Sequence, residues 1–129
     1  MGHKGMDTGP VKPSRKSGFA HLAAAASYSR AGLRRVMRES AFPQEVAGGA
    51  LALIALIVLG ASAGEIAGFV AIWLGLATVE TLNTALEVVV DHLSPEWSEF
   101  ARDAKDLGSL AVALMIGANT VYFLSVVFL

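Results

Sequence analysis

Glu80, Asn83 and Glu87 stand three and four residues apart inside an apolar run from Ile66 to Val90 that is otherwise long enough to cross a bilayer. Those steps put all three side chains on one face of a helix, and Asp91 extends the stripe by another turn. A carboxylate in hydrocarbon costs roughly 2.5 to 3.5 kcal/mol on insertion scales, so two of them demand compensation by chemistry, ion handling or a buried partner. One carboxylate can bind a hard cation such as magnesium, which takes oxygen ligands and shares them with nucleotide phosphates. Another can accept a proton from an attacking hydroxyl. A polar interhelical lock and a proton or cation pathway would use the same residues, and spacing alone leaves all of these open.

Depth narrows the setting. At about 1.5 Å per residue, Glu80 lies roughly 21 Å and Glu87 roughly 31 Å along the helix from Ile66. Both acids therefore approach one boundary of a hydrocarbon core about 30 Å thick. A face at that depth suits a reaction between a water-soluble anion and a lipid headgroup, since one end of the site sits in oil and the other opens to water.

The elements that must carry this face are membrane helices. The 129 residues fit one domain, and 54% hydrophobic against 16% charged residues points to an integral membrane protein. The absence of cysteine excludes disulfide frameworks, thiol catalysis and cysteine-based zinc sites. Residues 1–17, with Gly, Pro, Ser and Lys and no apolar core, read as a disordered basic tail rather than a cleavable signal peptide. The opening Met-Gly also fails the myristoylation pattern, because Met6 stands where Ser or Thr is needed. Residues 18–129 form the membrane domain.

Within it, Phe19, Leu22, Ala26, Leu33, Val36 and Met37 recur at helical intervals among Arg30, Arg34, Arg35 and Arg38. This predicts an amphipathic surface helix over about 19–38, with Gly32 as a point where it kinks or ends. Simple anchoring to anionic lipid accounts for such a basic helix as well as a catalytic role does. Spanning helices are predicted over about 46–63, 66–90 and 107–129, with Gly60-Ala-Ser-Ala-Gly64 as the first turn. The fold class is all-α.

Eight of the ten Lys and Arg residues precede Glu39, which places the amino terminus in the cytoplasm and returns the connection from Asp91 to Asp106 to the same side. Both glycine-rich phosphate loops, GxxxxGK[ST] and GxGxxG, are missing, so any nucleotide must be held by another device. His21 and His92 have no metal-ligand spacing. Tyr28 and Trp97 also fit plain interfacial aromatics, and Trp73 fits packing or lipid contact.

The segment Glu80-Thr-Leu-Asn-Thr-Ala-Leu-Glu-Val-Val-Val-Asp91, followed by Ala104-Lys-Asp-Leu-Gly-Ser109, closely resembles the signature of the small prokaryotic diacylglycerol kinases. The likeness runs from about Gly18 to the carboxyl end and includes Ala25-Ala-Ser-Tyr-Ser29, Gly32-Leu-Arg34 and Glu39-Ser-Ala-Phe-Pro-Gln-Glu45. It implies a homotrimer in the bacterial inner membrane, with a surface helix and three spans per protomer and active sites shared between subunits. The implied reaction moves the ATP γ-phosphoryl group to the free hydroxyl of diacylglycerol, giving phosphatidic acid, with Mg2+ as cofactor and no nucleic-acid partner.

Matched residue by residue, the resemblance makes Glu80 the general base and Glu39 and Glu87 the metal ligands. It assigns Tyr28, Asn83, Glu96, Trp97, Ser98, Lys105 and Asp106 to the nucleotide. The lipid would meet Ala25, Ala26, Ser27, Ser29, Arg30, Arg34, Ala41, Phe42, Gln44, Glu45 and Ser109. A related undecaprenol kinase is the nearest alternative, and Gly108 and Ser109 favour the diacylglycerol branch. This chain departs from the family pattern at His21, Pro43 and Thr81. Its interval from Gly32 to Glu39 is also one residue short, which inside a helix would turn Glu39 by about 100°.

Overall fold

The computed structural model describes residues 18–39 and 41–129. Four helices follow in chain order: α1 (Phe19–Val36), α2 (Ala41–Val58), α3 (Ala63–Leu93) and α4 (Glu99–Phe128). The predicted basic tail, residues 1–17, lies outside the described residues. The chain divides after Ala31 into an amino-terminal unit and a larger unit, Gly32–Leu129.

In the amino-terminal unit α1 is helical from Phe19, with Leu22 and Tyr28 exposed. In the larger unit its last turn ends at Val36, which is buried, while Leu33 and Met37 are exposed. Gly32 does not end it, as expected when one glycine costs a helix only about 1 kcal/mol relative to alanine. The helix unwinds instead through tight bonds from Arg38 N–H to Arg35 O (3.1 Å) and Glu39 N–H to Val36 O (3.0 Å).

The first span starts and stops five residues earlier than predicted, at Ala41–Val58 rather than 46–63. As the third residue of α2, Pro43 sits in the first turn, where its missing N–H has no intrahelical partner to lose. Gly60 ends this helix at φ +81°, with Ala61 N–H donating to Leu56 O (3.0 Å) and Gly60 N–H to Ile57 O (3.1 Å). Ser62 then caps α3 reciprocally: its N–H donates to Glu65 Oε2 (2.7 Å), and Glu65 N–H donates to Ser62 Oγ (3.3 Å).

The larger correction concerns α4, which begins at Glu99 rather than at 107, shrinking the connection to residues 94–98. Hydropathy ends a span where charge begins, but the helix runs on through the charged residues from Glu99 to Asp106. The overlooked signal was Ser98, whose Oγ accepts from Ala101 N–H (3.2 Å), followed by Glu99 in the first turn.

Three helices, α2, α3 and α4, are long and apolar enough to cross a membrane. Their exposed surface includes Leu51, Leu74, Leu110, Leu114, Val121 and Phe128, more apolar area than a protein in water would present. At 18, 31 and 30 residues, α2 is about 27 Å long while α3 and α4 exceed about 44 Å. The register of the bundle follows from glycines that admit large partners. Gly49 receives Trp73, Gly68 receives Tyr122, Gly75 receives Met115 and Gly108 receives Asn83. That alignment brings the start of α2 to the level of Glu80, and the extra turns of α3 and α4 project beyond it.

Gly68 gives a direct test of this packing. A Cβ there would overlap the Tyr122 hydroxyl and come within 2.7 Å of Cζ, while the hydroxyl donates to Glu65 O at 3.0 Å. Gly68→Ala should destabilise the bundle by about 1 to 3 kcal/mol in reversible unfolding in detergent. Gly64→Ala, where the nearest atom would be 3.9 Å away, should leave that packing contact untouched.

Candidate active site

Burial along α3 selects Phe69, Leu76, Glu80 and Thr84, at intervals of seven, four and four residues, as one inward stripe. Glu80 thus occupies what the helix period makes a core position, and it is only 5% exposed. It borders a cavity of about 300 Å³ whose wall also includes Glu39, Ala41, Asn83, Thr84, Glu87, Ser109 and Val112. The three carboxylates that the resemblance singled out therefore share one hollow.

The short interval before Glu39 does not turn it away from that hollow. Glu39 stands beyond the last turn of α1, outside any helix, and lines the cavity beside Glu80 and Glu87. Its carboxylate accepts from Arg35 Nη1 four residues earlier. Glu87 is held from its own helix, with Asn83 Nδ2 donating to Glu87 Oε1 at 3.2 Å. The other end of that amide, Asn83 Oδ1, is buried with no hydrogen-bond partner among the described residues.

A second hollow, about 350 Å³, lies one turn further out and is walled by Asp91, Glu96, Trp97, Ser98, Arg102, Lys105 and Asp106, among others. Lys105 Nζ contacts Asp91 Oδ1 at 2.5 Å, joining α4 to α3. Ser98 is engaged as a cap and as a partner of Ser94 Oγ (2.7 Å), whereas Trp97 is exposed. Asp91 follows Glu87 by four residues and Lys105 precedes Ser109 by four, so the two hollows stack along the same pair of helices.

The proposed lipid residues divide. Ala41 and Ser109 line the carboxylate cavity, Phe42 is buried in the first turn of α2, and Glu45 Oε2 is buried without a hydrogen-bond partner among the described residues. Gln44 and Arg34 are exposed. Ala25, Ala26, Ser27, Tyr28, Ser29 and Arg30 belong to the amino-terminal unit, and both hollows are built from the larger one. The residue reading passed over Thr84, Val112 and Arg102. Thr84 carried a usable signal, one turn after Glu80; Val112 and Arg102 carried none beyond ordinary helical spacing.

The donor chemistry is oxygen throughout. Among the described residues no three His, Asp or Glu side chains converge as a ready cation cage. Carboxylates sharing one cavity nevertheless suit a cation that brings phosphate and water as its remaining ligands.

These features describe a helical membrane protein with an acidic cavity where apolar helix gives way to polar helix. The chain belongs to the prokaryotic diacylglycerol kinase family, whose sequence profile matches residues 27–127. It is a lipid kinase by that membership. A diacylglycerol kinase from a Sinorhizobium species is 43% identical over 120 residues, covering 93% of this chain and 86% of the relative. The Escherichia coli K12 diacylglycerol kinase is 37% identical over 101 residues, covering 78% and 83% respectively. A Pseudomonas aeruginosa diacylglycerol kinase is 35% identical over 107 residues, covering 82% and 87%.

Proposed function

We propose that this protein transfers the γ-phosphoryl group of ATP to diacylglycerol at the cytoplasmic face of a bacterial inner membrane, forming phosphatidic acid and ADP. The observation that carries the reading is the shared cavity of Glu39, Glu80, Glu87 and Ser109 at the level where α2 begins.

Phosphoryl transfer asks a protein mainly to align nucleophile with phosphate and to neutralise charge on the transferred group. Glu80 takes the proton of the lipid hydroxyl as that oxygen bonds to the γ-phosphorus and the bond to the ADP oxygen breaks. Lys105 supplies a point charge toward the phosphates, for which its contact with Asp91 must loosen. Asn83, Glu96, Trp97, Ser98 and Asp106 complete the nucleotide side. Glu39 and Glu87 would hold Mg2+, which when bound offsets negative charge on the phosphate oxygens. Ser109, Ala41 and Phe42 face the lipid side, together with Gln44, Glu45 and Arg34.

The working unit in this reading is a homotrimer whose sites are completed by neighbouring subunits. Its exposed apolar helices leave ample surface for such packing. In mixed micelles with labelled ATP, label should appear in phosphatidic acid and require Mg2+. Strong preference for undecaprenol over diacylglycerol would overturn the substrate assignment, and ion flux in proteoliposomes without nucleotide would overturn the kinase mechanism.

A further inference from the structure

Asn83 is the one described contact that orients Glu87, and the direction of its amide is forced. A carboxylate only accepts, so the Nδ2 end must face Glu87 Oε1, at 3.2 Å. Reversing the amide would set two acceptors face to face. The Oδ1 end is therefore driven to the α4 side, where it stays buried without a partner among the described residues. Gly108 is the residue it meets there. A Cβ at 108 would overlap Asn83 Oδ1 and lie 3.2 Å from its Cγ and 3.3 Å from Leu86 Cδ2.

We propose that Gly108 is a positioning residue for Glu87: its bare backbone is the seat that lets the Asn83 amide lie with its donor on the carboxylate. The overlap falls on the far end of a side chain, so an added methyl is relieved by rotating Asn83 rather than by parting the helices. Folding is little affected by that rotation, but the Nδ2 bond to Glu87 is lost. Gly108 thus acts across the α3 to α4 interface on a group it does not touch. Its functional consequence rests on the kinase reading, whereas the coupling itself concerns only these three residues.

Gly108→Ala, Asn83→Ala and the double variant separate the outcomes. Mn2+ binding to the full chain, with a non-hydrolysable ATP analogue and read by electron paramagnetic resonance, reports on the carboxylate without turnover. A hydrogen bond to a charged group corresponds to roughly a tenfold change or more in an equilibrium constant. Each single variant should weaken Mn2+ binding about that much, and the double variant no further than Asn83→Ala. Unchanged binding in Gly108→Ala, or additive losses in the double variant, would overturn the proposal. If Gly108→Ala does not fold, Asn83→Ala, which adds no bulk, decides: wild-type Mn2+ binding there also overturns it. Wild-type protein that binds Mn2+ but fails to phosphorylate diacylglycerol would sink the kinase reading and leave the coupling intact.

Discussion

Glu80→Gln is expected to reduce phosphoryl transfer to diacylglycerol by about a hundredfold to ten-thousandfold, the range a positioned general base contributes. The protein should remain folded. Glutamine matches the shape of glutamate, and replacing a buried carboxylate that shares a cavity with Glu39 and Glu87 removes a charge from like-charged surroundings. The unfolding midpoint in detergent should therefore hold or rise while activity collapses. Glu80→Asp keeps the acid but retracts it by one methylene, and a misplacement of about 1 Å can cost on the order of a hundredfold. Glu80→Asp should therefore retain some transfer. Equal activity of Glu80→Gln and wild type, measured as labelled phosphatidic acid formed per protomer, would remove Glu80 from the reaction.

What was legible in the chain, and what was not, divides by physical cause. The acidic stripe Glu80, Asn83 and Glu87 could be read because helical spacing fixes its face without knowledge of any neighbour, and the structure sets all three on one cavity. The second span was predicted at 66–90, within three residues at either end of α3, since apolar length and a turn of small residues bound it. Both ends of α2 and the start of α4 were missed. Pro43 resembles a helix breaker unless its place in the first turn is known, and the charged residues from Glu99 to Asp106 resemble a loop unless Ser98 is recognised as a cap. The pairing of Lys105 with Asp91 and the seat of Asn83 on Gly108 depend on the register between α3 and α4, which neither helix encodes alone.

Glu87→Gln should weaken the Mg2+ dependence of transfer by about tenfold to a hundredfold, more than Glu39→Gln does. Even groups that merely orient a metal ligand cost that much when removed, so the figure is a floor for losing the ligand itself. The ranking follows from how the two carboxylates are held. Glu87 lies within α3, inside its last two turns, with its oxygen fixed by Asn83, so little ordering remains to be done when a cation arrives. Glu39 stands in the break between helices with its carboxylate on Arg35. Both side chains of that ion pair are partly exposed, at 49% and 33%, and such pairs are worth about 0 to 1 kcal/mol. Arg35 can therefore be displaced at small cost, but Glu39 must then be ordered anew, which reduces what it contributes. Titrating Mg2+ at saturating ATP for both variants checks the order: a larger rise in half-saturation for Glu39→Gln would mean that the loop carboxylate, rather than the helix-borne one, anchors the cation.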